Sequence, residues 1–110
     1  MTFPDDKFTD MRAFADAYFQ ASRDAQASVD RVALARAGAL LAGAYAARKT
    51  IYVCGNGGSA AISNHLVCDH LKCIQTDTGL LPRVVSLAAT IETITAVAND
   101  ISYDEVFVYQ

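Results

Sequence analysis

The segment Lys49–Cys54 (KTIYVC) runs straight into Gly55-Asn56-Gly57-Gly58-Ser59, and this junction constrains the fold more than any other feature of the chain. From Ile51 onward the run is short, apolar and rich in β-formers, which predicts a strand buried on both faces of a parallel sheet. Three glycines in the four positions 55–58 then break it sharply. Helical spacing returns over Ala60–Lys72 through Ala61, Leu66 and Leu71. A buried strand that turns on glycines into a helix is a design for holding phosphate. Glycine admits positive φ and close backbone approach, the helix amides and dipole face the anion, and Ser59 adds a hydroxyl. The plainer alternative is a tight strand-to-helix turn with no ligand, although three glycines exceed what such a turn requires.

The remaining chain organises around that junction. After Pro4, apolar residues from Phe8, Met11 and Phe14 to Ala25 recur at spacings of three and four. The pattern resumes from Val29 to Ala44, predicting two helices with a break near residues 26–31. Phe14, Tyr18 and Phe19 are expected to serve helix packing. Cys73–Pro82 carries Thr, Asp and Gly and reads as a loop, and Arg83–Ala88 reads as a second short strand. Thr90 is placed to cap a helix running to about Ala98, with Glu92 beside its start and Asn99-Asp100 interrupting it. Ser102 and Glu105 have capping-box spacing for a final helix. Strand, helix, strand and helix make a βαβ unit with an expected right-handed crossover. The expected organisation is a helical segment over residues 1–48 and the first part of an α/β domain over 49–110. The apolar run Val106–Tyr109, just before Gln110, predicts that this domain continues further.

Composition narrows the function. The 53% hydrophobic and 19% charged content describes a folded globular chain, and the net charge of −3 with scattered arginines argues against nucleic-acid binding. No apolar run reaches the roughly 20 residues of a membrane span, and the acidic N-terminus does not look like a signal peptide. Three cysteines, an odd number, favour reduced thiols and a cytoplasmic location. Cys54 is expected in the core and His70 at the surface or an interface; Cys68, at i+3 from His65, could join a metal but is expected as a buried thiol.

Two phosphate motifs can be weighed against the loop. No Lys-Ser or Lys-Thr pair follows its last glycine, so a P-loop is not expected. Gly55, Gly57 and Ala60 satisfy the G-x-G-x-x-A dinucleotide pattern, but Asp77, at about the right distance, lies in a polar stretch instead of ending the second strand. Further along the helix, His65 and Asp69 stand at i and i+4. Such a pair projects into one space and can bind zinc with ligands from elsewhere, or can simply stabilise a surface helix. Asp100 reads either as a ligand or as a helix stop.

The segments IYVCGNGGSAAISNH and AVANDISYDEVFVYQ, with the spacing between them, resemble the signatures of the SIS-domain sugar-phosphate proteins, closest to the phosphoheptose isomerases. The resemblance implies a doubly wound parallel α/β sheet flanked by helices, preceded by two N-terminal helices. It implies a homotetramer without membrane or direct nucleic-acid partners. The implied activity interconverts sedoheptulose 7-phosphate and D-glycero-D-manno-heptose 7-phosphate through an ene-diol, supplying heptose for bacterial surface polysaccharide such as lipopolysaccharide. On this resemblance Asn56, Gly57, Gly58 and Ser59 bind the sugar phosphate, with Asn99 and Asp100 contacting the sugar. His65 is a zinc ligand, with one zinc per subunit. Asp69 falls where these isomerases place a glutamate that serves as both zinc ligand and catalytic acid/base, so the chain departs from the pattern at the chemistry. The family's Ser/Thr-rich phosphate loop, a glutamine and a histidine are expected beyond residue 110. Relatives of this branch also include a regulator that binds a replication initiator, so a non-catalytic protein that binds a sugar phosphate or a protein partner is the alternative.

Overall fold

The computed structural model describes residues 3–4 and 6–110. The chain divides into two compact units, residues up to Ala39 and Leu40–Gln110.

In the first unit, helix α1 spans Met11–Ser28. It starts later than the periodicity after Pro4 predicts, because Asp10 caps it. The Asp10 carboxylate accepts from the Arg12 amide at 3.2 Å, and its carbonyl accepts from Phe14 at 3.1 Å. Asp5, within the predicted segment, lies outside the described residues. Phe14 and Tyr18 stack in α1, and Phe3 and Phe8 close around them at ring separations of 5.6–6.3 Å, the range that favours tilted and edge contacts. Phe19 meets Tyr18 edge-on. The break between helices falls where it was expected. Val29 is extended, and Asp30 then caps α2 (Arg31–Ala46) by accepting from the Val32 and Ala33 amides at 2.8 and 3.2 Å. The Arg31 guanidinium turns back to the Gln26 and Ala27 carbonyls at 3.1 and 3.3 Å, adding to the bond that the Val29 amide already makes to Gln26 at the end of α1.

In the second unit, α2 ends on a turn in which the Lys49 amide donates to the Ala44 carbonyl at 2.9 Å, with Arg48 at φ 51°. Strand β1 (Thr50–Val53) pairs in parallel with β2 (Arg83–Ser86), in the register Ile51 opposite Val84 and Val53 opposite Ser86. Between them runs one long helical segment: α3 (Gly58–Asp69), a π-helical turn (His70–Ile74) and α4 (Gln75–Thr78). The expected loop from Cys73 is therefore helix as far as Thr78. The Thr76 and Thr78 hydroxyls bond back to the Lys72 and Ile74 carbonyls, which lets these poor helix formers stay helical, and Gly79 at φ 70° ends the run.

Helix α5 spans Ile91–Asp100. Asn99 and Asp100 belong to its last turn and do not interrupt it. Thr90 occupies the cap position, but its hydroxyl makes no capping bond. The expected final helix is only a 3₁₀ turn, Tyr103–Glu105, where the Ser102 hydroxyl accepts from the Asp104 amide at 3.2 Å. Ala88, Val97 and Val106 form the buried apolar core among the described residues.

The result is a parallel α/β arrangement with flanking helices and two helices ahead of it. Two expectations about the burial of the first strand fail. Strand β1 is only half-buried, with Tyr52 64% exposed, and Cys54 is exposed rather than core. A sheet of two strands covers neither its outer edges nor both of its faces. No described helix is long and apolar enough to cross a membrane.

Candidate functional site

The loop between β1 and α3 has the backbone its sequence calls for. A Cβ on Gly55 would lie 2.6–2.7 Å from the Cβ, carbonyl carbon and carbonyl oxygen of Ser59, so the loop folds onto the first turn of α3 too closely for any side chain. Gly57 caps the helix at φ 55°, ψ −122°, a conformation that L-residues rarely adopt. The Ser59 and Ala60 amides are taken by the Asn56 and Gly57 carbonyls at 3.0 and 3.1 Å. Among the described residues the Gly57 and Gly58 amides have no acceptor, and Asn56, Gly57, Gly58 and Ser59 are all exposed. Open donors at the positive end of a helix dipole attract an anion. Gly57→Ala is expected to cost about 1–3 kcal/mol of stability. Gly58→Ala, with open space and no such backbone strain, should cost less, and paired urea unfolding curves would show the difference.

Two turns further along α3, His65 Nε2 and Asp69 Oδ1 stand 3.4 Å apart on an open face, 74% and 48% exposed. Among the described residues no group of three or more His, Cys, Asp and Glu side chains converges. The pair therefore supplies two donors, one nitrogen and one oxygen, which suit a tetrahedral zinc site completed from elsewhere. Cys68, expected as a buried thiol, is exposed.

Helix α3 is tied to the sheet by a link the sequence did not signal. The Ser86 hydroxyl donates to Asn64 Oδ1 at 2.7 Å and accepts from the Ala88 amide at 3.2 Å. This joins the residue before His65 to the C-terminal end of β2, beside a cleft of about 380 Å³ lined mainly by Val67, Val84, Val85 and Ala89. His70 is a correction: it is buried rather than at the surface, because both of its ring nitrogens find partners inside the fold. Asn99 and Asp100 lie exposed at the end of α5, where the Asn99 amide donates to the Asp100 carboxylate at 2.7 Å. Among the described residues, no hydrogen bond connects them to the glycine loop.

A SIS domain profile matches residues 17–110, from within α1 through the glycine loop to the end of the chain. The chain belongs to the SIS-domain family. Within it, the chain is 39% identical over 95 residues to the phosphoheptose isomerase of Halorhodospira halophila, which covers 84% of this chain and 48% of that protein. It is 37% identical over 95 residues to the phosphoheptose isomerase of Alkalilimnicola ehrlichii, with the same coverage. A shorter match to the phosphoheptose isomerase of Colwellia psychrerythraea is 47% identical over 57 residues, 52% of this chain and 29% of that protein. This SIS chain spans about half the length of the curated relatives it matches.

Proposed function

We propose that the protein is a cytoplasmic aldose–ketose isomerase that interconverts sedoheptulose 7-phosphate and D-glycero-D-manno-heptose 7-phosphate in the synthesis of bacterial surface heptose. The observation that carries this reading is the glycine loop, with its open amides at the start of α3 and the His65–Asp69 pair two turns along the same helix. The names of the relatives support the choice of substrate.

On this reading the Gly57 and Gly58 amides and the Ser59 hydroxyl hold the phosphate, and Asn56 stands beside them. Asn99 and Asp100 contact the sugar hydroxyls. Asp69 then acts as the acid/base. Its carboxylate takes a proton from C1 of the ketose to form the ene-diol, exchanges it with solvent and delivers a proton to C2, while the hydroxyl proton is lost from O1 and one is gained at O2. His65 and Asp69 would hold one zinc per subunit. When bound, the metal stabilises negative charge on the substrate oxygens. The protein assembles as a homotetramer.

The test is incubation of the full chain with sedoheptulose 7-phosphate in heavy water, with and without Zn²⁺, followed by NMR. Aldose carrying deuterium at C2 is the expected result. Folded protein that binds the sugar phosphate with neither turnover nor exchange overturns the isomerase. That outcome would leave the second reading, a non-catalytic sugar-phosphate or protein-binding regulator, which the shorter Asp69 carboxylate favours.

A further inference from the structure

His70 follows Asp69 directly and begins the π-helical turn, yet the proposed chemistry does not use it. Its ring is buried and bonded at both nitrogens: Nδ1 lies 2.8 Å from the Leu66 carbonyl oxygen and Nε2 lies 2.6 Å from the Tyr45 hydroxyl. A carbonyl oxygen only accepts, so Nδ1 carries a hydrogen. In the neutral ring Nε2 then accepts from Tyr45. The His70 backbone amide also donates to the Leu66 carbonyl, which is therefore held twice.

The anchor points of this tie are informative. Leu66 is the residue after His65, and His70 is the residue after Asp69. The tie therefore grips the helix backbone beside each member of the pair and fastens it to Tyr45 on the last turn of α2. It also sits where the helix changes from α to π geometry, a change common at functional sites and one that loosens the ordinary hydrogen-bond ladder. With the helix pinned there, the backbone from which His65 and Asp69 project is anchored by groups outside the pair.

We infer that Tyr45 and His70 are positioning residues that set the geometry of His65 and Asp69 for metal binding, an inference that rests on the proposed zinc site. The test uses the full chain titrated with Zn²⁺ alone by calorimetry, together with ¹⁵N NMR of the His70 ring. The wild-type ring should show hydrogen on Nδ1. Tyr45→Phe removes one hydroxyl and keeps the aromatic ring, and should leave the circular dichroism unchanged while weakening Zn²⁺ binding roughly tenfold to a hundredfold. His70→Gln, whose amide oxygen can still accept from Tyr45, should recover part of that loss relative to His70→Ala. Wild-type Zn²⁺ affinity in folded Tyr45→Phe, or no advantage of Gln over Ala at position 70, overturns the inference while leaving the zinc site standing. A wild-type chain that binds Zn²⁺ no better than His65→Ala overturns the zinc site, and the positioning role with it.

Discussion

Asp69→Ala should lower kcat for sedoheptulose 7-phosphate by roughly 10²–10⁴-fold, the usual contribution of one well-placed acid/base group. The stability of the chain should change little. The Asp69 side chain is about half exposed and, among the described residues, pairs only with His65, so its removal strands no buried partner there. Asp69→Asn separates the two roles assigned to this residue. Asparagine keeps an oxygen at the same reach and so retains some capacity to bind Zn²⁺, but it cannot take up a proton. The proposal therefore expects Asp69→Asn to match Asp69→Ala in heavy-water exchange while binding Zn²⁺ more tightly than Asp69→Ala. Equal exchange rates in wild type and Asp69→Asn would move the base to another residue. Asp69→Glu adds one methylene, and a displacement near 1 Å can cost on the order of a hundredfold in rate. A fall in that variant would show that this helix is set for the shorter side chain.

The parts of the fold that were legible in the sequence are those whose causes are local. The apolar run at Ile51–Val53, the glycines after it and the helical spacing of α3 need no distant partner, and each stands where it was expected. The break between α1 and α2 was legible for the same reason, since Asp30 caps a helix from its own position. The misreadings have causes the residue pattern does not carry. Thr76 and Thr78 argue for a loop by propensity, yet their hydroxyls found acceptors one turn back and the helix persisted. The exposure of Cys54, Cys68 and Tyr52 depends on what covers the sheet and α3, which no local spacing encodes. The burial of His70 depends on Tyr45, 25 residues earlier, and the hold on Asn64 depends on Ser86, 22 residues later. At the candidate site the sequence therefore names candidate residues by type and spacing, while the bonds from Tyr45 to His70 and from Ser86 to Asn64 are visible only in the fold.

Gly55→Ala should damage the loop by a clash, where Gly57→Ala damages it by backbone strain. Gly57 and Gly58 have open space where a Cβ would go, whereas the Cβ of an alanine at 55 would meet Ser59 at 2.6–2.7 Å, two of the three contacts being backbone atoms. A flexible side chain could swing aside, but the first turn of a helix cannot do so without moving its amides. Overpacking of this kind typically costs about 1–3 kcal/mol, so a drop of that size is expected in urea unfolding. The effect on binding should be larger in proportion. Pushing Ser59 away shifts the donors that the proposal assigns to the phosphate, and one lost hydrogen bond to a charged group costs about 1.5–3 kcal/mol, roughly tenfold to a hundredfold in Kd. Inorganic phosphate and sedoheptulose 7-phosphate titrated into the folded variant should both show that loss, since the damage lies at the group they share. If Gly55→Ala loses stability but binds both ligands as tightly as wild type, the loop is a turn that needs glycine for packing, and the phosphate must be held elsewhere.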